Sequence, residues 1–407
     1  MECPGDPDAK ADMSGDTRMA AALVPGAECW INALPDDMLL LIISRLYARQ
    51  VVQTCVLSRR WRNLWRSVTR IKISHDEFDH MADTEEECNV LFKKFVNRFL
   101  MLRNPFALHD FRLWYNIPDG DDSDAGSEDA NLWIHHALEC NARSIEVTIQ
   151  MYSLRLNPAV FTAGRFLKRL DLSNVNLLLG FFRQLEASCK ELKDLFLSYC
   201  FISDVEIISK AVEVLAIDIE CHFTFEEKPS ISIPSLVDLF CALSDSERVP
   251  LLKNMESLET ADVTLPLVDD TRQFLKSLSG VTDLDFSYKG NTLKVENNIQ
   301  WCPKFNNLTT LTLSEWCLHP DLYPLIVFLR NSPNLENLTL KLKGHDLQRQ
   351  SIVGGIEERS FSCEHLDSVD IVCWEVSDDD PVLDSLTELL TENGIDDDDI
   401  SIRDEYF

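Results

Sequence analysis

The segment Leu308-Thr309-Thr310-Leu311-Thr312-Leu313 returns, with the same leucine spacing, as Leu335-Glu336-Asn337-Leu338-Thr339-Leu340. Two earlier segments share the pattern apolar-x-x-apolar-x-apolar: Leu167-Lys168-Arg169-Leu170-Asp171-Leu172 and Leu192-Lys193-Asp194-Leu195-Phe196-Leu197. The last two apolar positions of each copy are two residues apart, so they lie on one face of a β-strand. The pattern therefore predicts four strands that each bury one face.

Weaker copies of this pattern extend the repeat over most of the chain. They are centred on Ile145, Leu215, Leu239, Ala261, Leu284 and Val369, and an earlier copy runs from Leu108 to Leu113. Successive centres lie 20 to 31 residues apart, which is the leucine-rich-repeat period with irregular insertions. One such unit cannot bury its apolar face alone, whereas stacked units form a continuous core. We therefore predict an α/β repeat over residues 108–376, namely a curved leucine-rich-repeat solenoid with a parallel sheet on its concave face. The alternative is a chance leucine-rich pattern in an ordinary α/β domain.

The strand register also predicts a polar surface. If the apolar residues point inward, thirty neighbouring positions in the ten copies from Ile145 to Val369 line the concave face. Nine are acidic and two, Arg169 and Lys341, are basic; the acidic set is Glu146, Asp171, Asp194, Asp218, Asp238, Asp262, Asp283, Asp285 and Asp370. Such a face favours a basic partner segment. We predict a substrate-binding surface formed by Asp171, Asp194, Phe196, Asp218, Asp262, Asp283 and Asp285. The alternative is an ordinary solvated face that tolerates acids.

Residues 29–70 differ in charge from the rest of the chain. They contain seven arginines and two aspartates, hence a net charge of +5, in a chain of −30. Pro35, Asp36 and Asp37 suit the start of a helix that continues to Leu46. A second helix is predicted over 49–57 and a third after Ser58. A module of about 40 residues rarely forms a sufficient core alone, so we expect it to dock on the rest of this chain or on another protein.

Three stretches of this module carry a family resemblance: Leu34-Pro35-Asp36-Asp37-Met38-Leu39, Ile42-Ile43-Ser44-Arg45-Leu46 and Cys55-Val56-Leu57-Ser58-Arg59-Arg60-Trp61-Arg62-Asn63-Leu64-Trp65. The module resembles the F-box of plant F-box/leucine-rich-repeat proteins, although Tyr47 and Gln53 depart from the common pattern. The resemblance implies a three-helix F-box that docks on the acidic Skp adaptor, which the +5 charge would favour. The implied contact residues are Leu34, Pro35, Met38, Leu39, Ile42, Ile43, Leu46, Val56, Leu57, Trp61 and Leu64.

The remaining segments give simpler expectations. Residues 1–28 read as a disordered acidic tail, and 71–107 as a helical linker. The acid-rich stretch 119–129 reads as an exposed loop. Residues 377–407 carry twelve acids and Arg403; with the preceding Phe361 to Ile371 they resemble the FBD segment that closes such plant proteins. The resemblance implies a capping helix at 383–390 and a final strand near 400–402.

Signatures of catalysis and of other partner classes are missing from the sequence. It has no phosphate-binding Gly loop, Gly-x-Ser-x-Gly or His-Glu-x-x-His, so we predict no catalytic residue, metal or cofactor. The net charge of −30 and the lack of a long basic tract argue against nucleic acid and anionic membranes. Thirteen scattered cysteines without a Cys-x-x-Cys pair predict reduced thiols and an intracellular location, in the nucleus and/or cytoplasm.

These observations and the resemblance together predict a non-catalytic substrate receptor. The F-box would bind the Skp adaptor and, through it, the cullin of an SCF-type ubiquitin ligase, while the repeats would bind a protein target for ubiquitination. The alternative is a leucine-rich-repeat scaffold that delivers no substrate.

Overall fold

The computed structural model describes residues 30–104, 107–117, 123–218, 220–243, 248–265, 271–288, 302–318, 322–343, 360–374, 376 and 380–404. The predicted tail at 1–28 lies outside these residues. Within them, thirteen strands form one parallel sheet in the order β1-β2-β3-β5-β7-β10-β13-β15-β16-β17-β18-β19-β20. Their bounds are β1 Arg70–Ser74, β2 Asp110–Ile117, β3 Ser144–Met151, β5 Arg169–Ser173, β7 Asp194–Ser198, β10 Val214–Ile217, β13 Asp238–Ala242, β15 Thr260–Leu265, β16 Asp283–Tyr288, β17 Thr310–Ser314, β18 Asn337–Lys343, β19 Ser368–Trp374 and β20 Ile400–Asp404.

Short strands between the main ones form two further parallel sheets in the described residues. One contains β4 Leu154–Leu156, β6 Val175–Leu177, β8 Phe201–Ile202 and β11 His222–Phe223, and the other contains β9 Glu206–Ile208, β12 Ser230–Ser232 and β14 Leu251–Lys253. Between β7 and β15 the described residues connect the main strands through these short strands and turns, whereas β6 is followed by a helix at Phe181–Ser188. Each of these short strands pairs with the corresponding short strand of an adjacent repeat.

The main sheet is held in register by one continuous row of buried apolar residues. Each predicted repeat centre is the direct partner of the next, so that Leu284 pairs with Leu311, and Leu311 pairs with Leu338. The ten predicted centres and Phe111 are all at most 2% exposed. Because the side chains of a strand alternate between faces, the intervening residues stand on the opposite, polar face. The predicted α/β repeat with a parallel sheet is confirmed.

Six further α-helices are present in the described residues. They are α3 Glu85–Leu102, α4 Ser123–Glu139, α5 Phe181–Ser188, α6 Thr271–Ser277, α7 Tyr323–Asn331 and α8 Pro381–Glu392. The expectation of an exposed loop at 119–129 is wrong from residue 123 onward, since α4 begins there. Acidic residues suit the positive end of a helix, and Ala130, Trp133 and Ile134 follow at helical spacing and are buried.

The N-terminal module contains α1 Asp36–Ile43 and α2 Ala48–Gln53, followed by 3-10 helices at Thr54–Val56 and Trp61–Ser67. At the position of the predicted third helix, Trp61 and Leu64 thus lie on a 3-10 helix of seven residues. The module packs on α3, where the ring of Trp65 stacks on Phe99 with centroids 5.6 Å apart.

Residues 71–107, predicted as a helical linker, begin inside the sheet. Arg70–Ser74 form β1, which pairs with β2 in parallel from the Arg70–Asp110 pair onward. The first repeat strand thus follows the N-terminal module without a spacer. At the other end, α8 packs Leu386 and Leu390 into the core, and β20 pairs with β19.

Candidate functional site

The N-terminal module presents a patch of exposed apolar side chains. Val56 and Leu57, in and just after the 3-10 helix Thr54–Val56, are 82% and 64% exposed, and Leu41 and Met38 on α1 are 48% and 47% exposed. Ile42 and Tyr47 are also exposed. We call these six residues the apolar patch. Several large apolar side chains exposed within one short module typically mark an interaction site.

The contact residues implied by the resemblance separate into two groups in the structure. Met38, Ile42, Val56 and Leu57 belong to the apolar patch, and Pro35 is also exposed. Leu34 and Leu46 are half-buried against the core. The other four are buried in the chain's own core, namely Leu39, Ile43, Trp61 and Leu64. In the free chain these four residues pack within the hydrophobic core, and their contact with an adaptor stays a prediction.

Leu41 and Tyr47 belong to the apolar patch but are not among the eleven contact residues given above. Six consecutive apolar residues from Met38 to Ile43 cover every side of a helix, so periodicity could not separate the outer side from the inner one. The structure separates them: Leu39 and Ile43, at i and i+4, point into the core, whereas Leu41 and Ile42 point outward.

Four of the seven arginines in this module are engaged within the chain. Arg49 donates to the carbonyl oxygen of Glu77 at 2.6 Å, and Arg66 donates to that of Leu102 at 2.6 Å. Arg60 pairs with Asp36, and Arg70 with Asp110. These contacts fix the module and join it to α3 and the sheet. The net charge of +5 therefore overstates the positive charge that is open to a partner.

The polar face of the main sheet carries the second candidate site. The outward row runs through Phe196, Ala216, Phe240, Asp262 and Asp285 on five neighbouring strands. An adjacent row places Asp194, Val214, Asp238, Thr260 and Asp283 on the same strands. Neighbouring strands lie about 4.8 Å apart. The structure thus brings four carboxylates together on β13, β15 and β16, beside the exposed ring of Phe240. The ring of Phe196, on β7, is half-buried and lies 4.2 Å from the guanidinium of Arg169.

The predicted surface residues are not all members of this cluster. Asp262, Asp283 and Asp285 lie in it, and Asp194 and Phe196 stand two strands away. Asp171 on β5 is the register partner of Phe196 on β7. Its carboxylate forms a salt bridge with Arg169 at 3.3 Å. Asp218 follows the end of β10, outside the paired row. Asp238 and Phe240 join the two halves. Asp238 is one of the nine acidic positions predicted for the concave face, but neither residue belongs to the predicted binding surface of seven residues.

The carboxylates of this cluster disfavour one another's charge. Burial, reinforced by Asp285 and Asp238, raises the pKa of Asp262 to about 6, although Lys341 acts in the opposite direction. Burial and the same two neighbours also raise the pKa of Asp283. Lys341 lies 2.6 Å from Asp285 and neutralises part of the cluster. The face therefore holds excess negative charge that a cation would stabilise.

Replacing Asp262 with asparagine is expected to stabilise the chain at pH 7.5. Because its folded pKa is raised, the Asp262 carboxylate costs stability above pH 6, and this cost disappears as pH falls toward 3.8. For a half-exposed, screened group we expect a gain of about 1 kcal/mol in unfolding free energy, which thermal unfolding at pH 7.5 and pH 4 would measure. The exposed Glu388→Gln is the control. An Asp262→Asn gain that is equal at both pH values would contradict the proposed repulsion.

Other kinds of site receive no support from the described residues. No group of three or more His, Cys, Asp or Glu in these ranges is arranged to hold a metal ion. No helix among them is both long and apolar enough to cross a membrane. His135 and His136 lie on α4, where His135 meets Glu139 at 3.6 Å. Cys363 is half-buried against the core, and burial raises its thiol pKa to about 11, so it is a poor nucleophile.

Comparison with known proteins gives one matching domain and several similar chains. Residues 31–72 match the F-box domain, close to the predicted 29–70. Across the wider chain, F-box/LRR-repeat protein 13 of Arabidopsis thaliana is 25% identical over 80% of this chain and 79% of its own length. The meiotic F-box protein MOF of Oryza sativa subsp. japonica is 28% identical over 76% of this chain and 70% of its own length. An FBD-associated F-box protein of Arabidopsis thaliana is 25% identical over 76% of each. The predicted resemblance to plant F-box/leucine-rich-repeat proteins is confirmed.

Proposed function

We propose that this chain is the non-catalytic substrate receptor of an SCF-type ubiquitin ligase. F-box proteins with leucine-rich repeats generally act in this way, and F-box domains generally bind Skp-type adaptors. The observation that carries the proposal is the apolar patch, because it lies within residues 31–72, the part that matches the F-box domain. In this proposal the side chains of Val56 and Leu57 contact the Skp adaptor, and the adaptor in turn binds the cullin.

In this proposal the polar face of the sheet is the concave face of a curved solenoid and holds the target. The receptor itself makes or breaks no covalent bond. Its contribution is to keep the target close to the ubiquitin-charged enzyme. The acidic cluster supports a target with a basic segment, and Phe196 and Phe240 would pack on the apolar stems or rings of that segment.

Co-purification of the full chain with a Skp adaptor tests the first half of this proposal. The unmutated chain is expected to form a stable complex, and its failure to do so would exclude the receptor function. Ubiquitination of a bound protein in the assembled ligase then separates the receptor from the alternative, a scaffold that binds the adaptor without delivering a substrate.

Charge reversal on the sheet tests the target surface. Asp283→Lys combined with Asp285→Lys is expected to weaken binding of a short alternating Lys-Ser peptide at least tenfold, because attraction becomes repulsion. Fluorescence anisotropy would measure the affinity. Glu388→Lys with Glu392→Lys, on exposed positions of α8, changes the net charge equally and serves as control. Equal affinities for the two double variants would eliminate the acidic cluster as the binding surface.

A further inference from the structure

A basic cavity lies where the N-terminal module meets the first two strands of the sheet. Its volume is about 150 Å³, and its lining consists of Ser44, Arg45, Arg70, Ile71, Lys72, Asp110 and Arg112. This volume is roughly ten times the ~15 Å³ that one water needs on the same measure. Four of the seven lining residues are cations, in a chain whose net charge is −30.

Neighbouring carboxylates neutralise only half of this positive charge. Arg70 pairs with Asp110 at 3.0 Å, and Arg112 with Glu146 at 3.2 Å. The described residues place no carboxylate oxygen within 4 Å of Lys72 or Arg45. Four cations against two carboxylates leave a net charge of about +2, and a phosphate monoester at neutral pH carries about −1.5 to −2.

The strand register itself creates a local repulsion. Lys72 and Arg112 are direct partners across β1 and β2, on the same face of the sheet. Like charges placed opposite each other on neighbouring strands are destabilising. An anion between them would convert this repulsion into attraction on both sides.

The geometry favours phosphate over a simple halide. Guanidinium groups present forked donors that match phosphate oxygens, and an ammonium group adds a point charge. The hydroxyl of Ser44 already donates to the carbonyl oxygen of Leu41 at 2.8 Å, so the cations are the groups left to bind. The negative charge elsewhere on the chain is screened beyond about 8 Å at physiological salt.

We propose that this cavity binds a phosphate group, held by Arg45 from the N-terminal module and by Lys72 and Arg112 from the sheet. The phosphate is either a small free anion or a phosphorylated side chain of a protein bound on the polar face. Because Arg45 follows α1 and the other two residues lie on β1 and β2, the bound anion ties the module to the sheet. This site is separate from the apolar patch and does not depend on adaptor binding.

Titration of the full chain tests the site with two probes, inorganic phosphate and a phosphoserine peptide compared with its unphosphorylated twin. We expect saturable, salt-sensitive binding that is at least about tenfold weaker in Lys72→Gln and in Arg45→Gln. Lys94→Gln, on an exposed position of α3, makes the same charge change and is expected to bind like the unmutated chain. Lys72→Arg keeps the positive charge and is expected to retain phosphate binding. That result would show that replacement at this position does not by itself abolish binding.

The two probes distinguish the source of the phosphate. Binding of inorganic phosphate supports a free anion, whereas binding of the phosphopeptide alone supports a modified target; either outcome supports the site when the Lys72 and Arg45 variants lose it. Hydrogen exchange of β1, β2 and residues 44–45 should slow together on binding. Absence of binding by both probes, or equal affinity in Lys72→Gln and Lys94→Gln, overturns the proposal.

Discussion

The double variant Val56→Asp with Leu57→Asp is expected to lose about a thousandfold in adaptor affinity while its own fold stays intact. Both side chains are mostly exposed in the free chain, so a carboxylate at either position stays hydrated before binding. In the complex each carboxylate would be buried without a partner. Truncation of a central apolar contact costs about 2 kcal/mol or more, and about 1.4 kcal/mol is a factor of ten, so two such losses give the stated effect.

Calorimetric titration with the Skp adaptor measures this loss, and circular dichroism confirms that the variant is folded. The matched control is Met101→Asp with Leu179→Asp, since both residues are 75% exposed and lie on α3 and before α5, away from the patch. Leu39→Ala provides a contrast, because Leu39 is fully buried and its loss costs about 2–5 kcal/mol of stability. Unchanged affinity in the Val56 and Leu57 double variant would show that the adaptor binds elsewhere.

The repeat was readable from sequence because its signal is a spacing that recurs. A single strand with Leu311 and Leu313 is ambiguous, but ten similar strands at a similar period predict a parallel sheet, and the structure aligns their centres in one row. The same pattern is present in Val68-Thr69-Arg70-Ile71-Lys72-Ile73. This copy overlaps the end of the F-box, so the repeat pattern alone does not separate the two. The structure assigns it to β1, whose Lys72 is the direct partner of Arg112 on β2.

Side-chain direction was the part that the sequence could not supply. The apolar run in α1 identifies a buried helix and an interface equally well, and only the tertiary contacts separate Leu39 from Leu41. The acidic residues of the polar face were predicted individually from the alternation of each strand. Their clustering on β13, β15 and β16 depends on which strands are neighbours, since Asp238 and Asp262 are 24 residues apart in the chain but lie on paired strands.

Phe328→Ala is expected to destabilise the C-terminal repeats by about 4 kcal/mol and to leave adaptor binding unchanged. Phe328 lies on α7, is fully buried, and contacts the rings of Phe286, Phe305 and Trp316 with centroids 5.8, 6.0 and 6.1 Å away. Its removal opens a cavity among rings that come from neighbouring repeats, and Phe→Ala changes in cores cost about 3–5 kcal/mol.

The loss should remain local because each repeat contacts mainly its neighbours, so stability is close to a sum of repeat and interface contributions. Hydrogen exchange is expected to accelerate in β16, β17 and β18 but not in α1 and α2, while calorimetry reports unchanged adaptor affinity. Phe240→Ala removes an aromatic ring that is exposed on the polar face and should cost little stability. Acceleration spread evenly from α1 to β20 would instead mean that the N-terminal module and the sheet unfold as one unit. In that case variants of the repeats could not be used to separate target binding from adaptor binding.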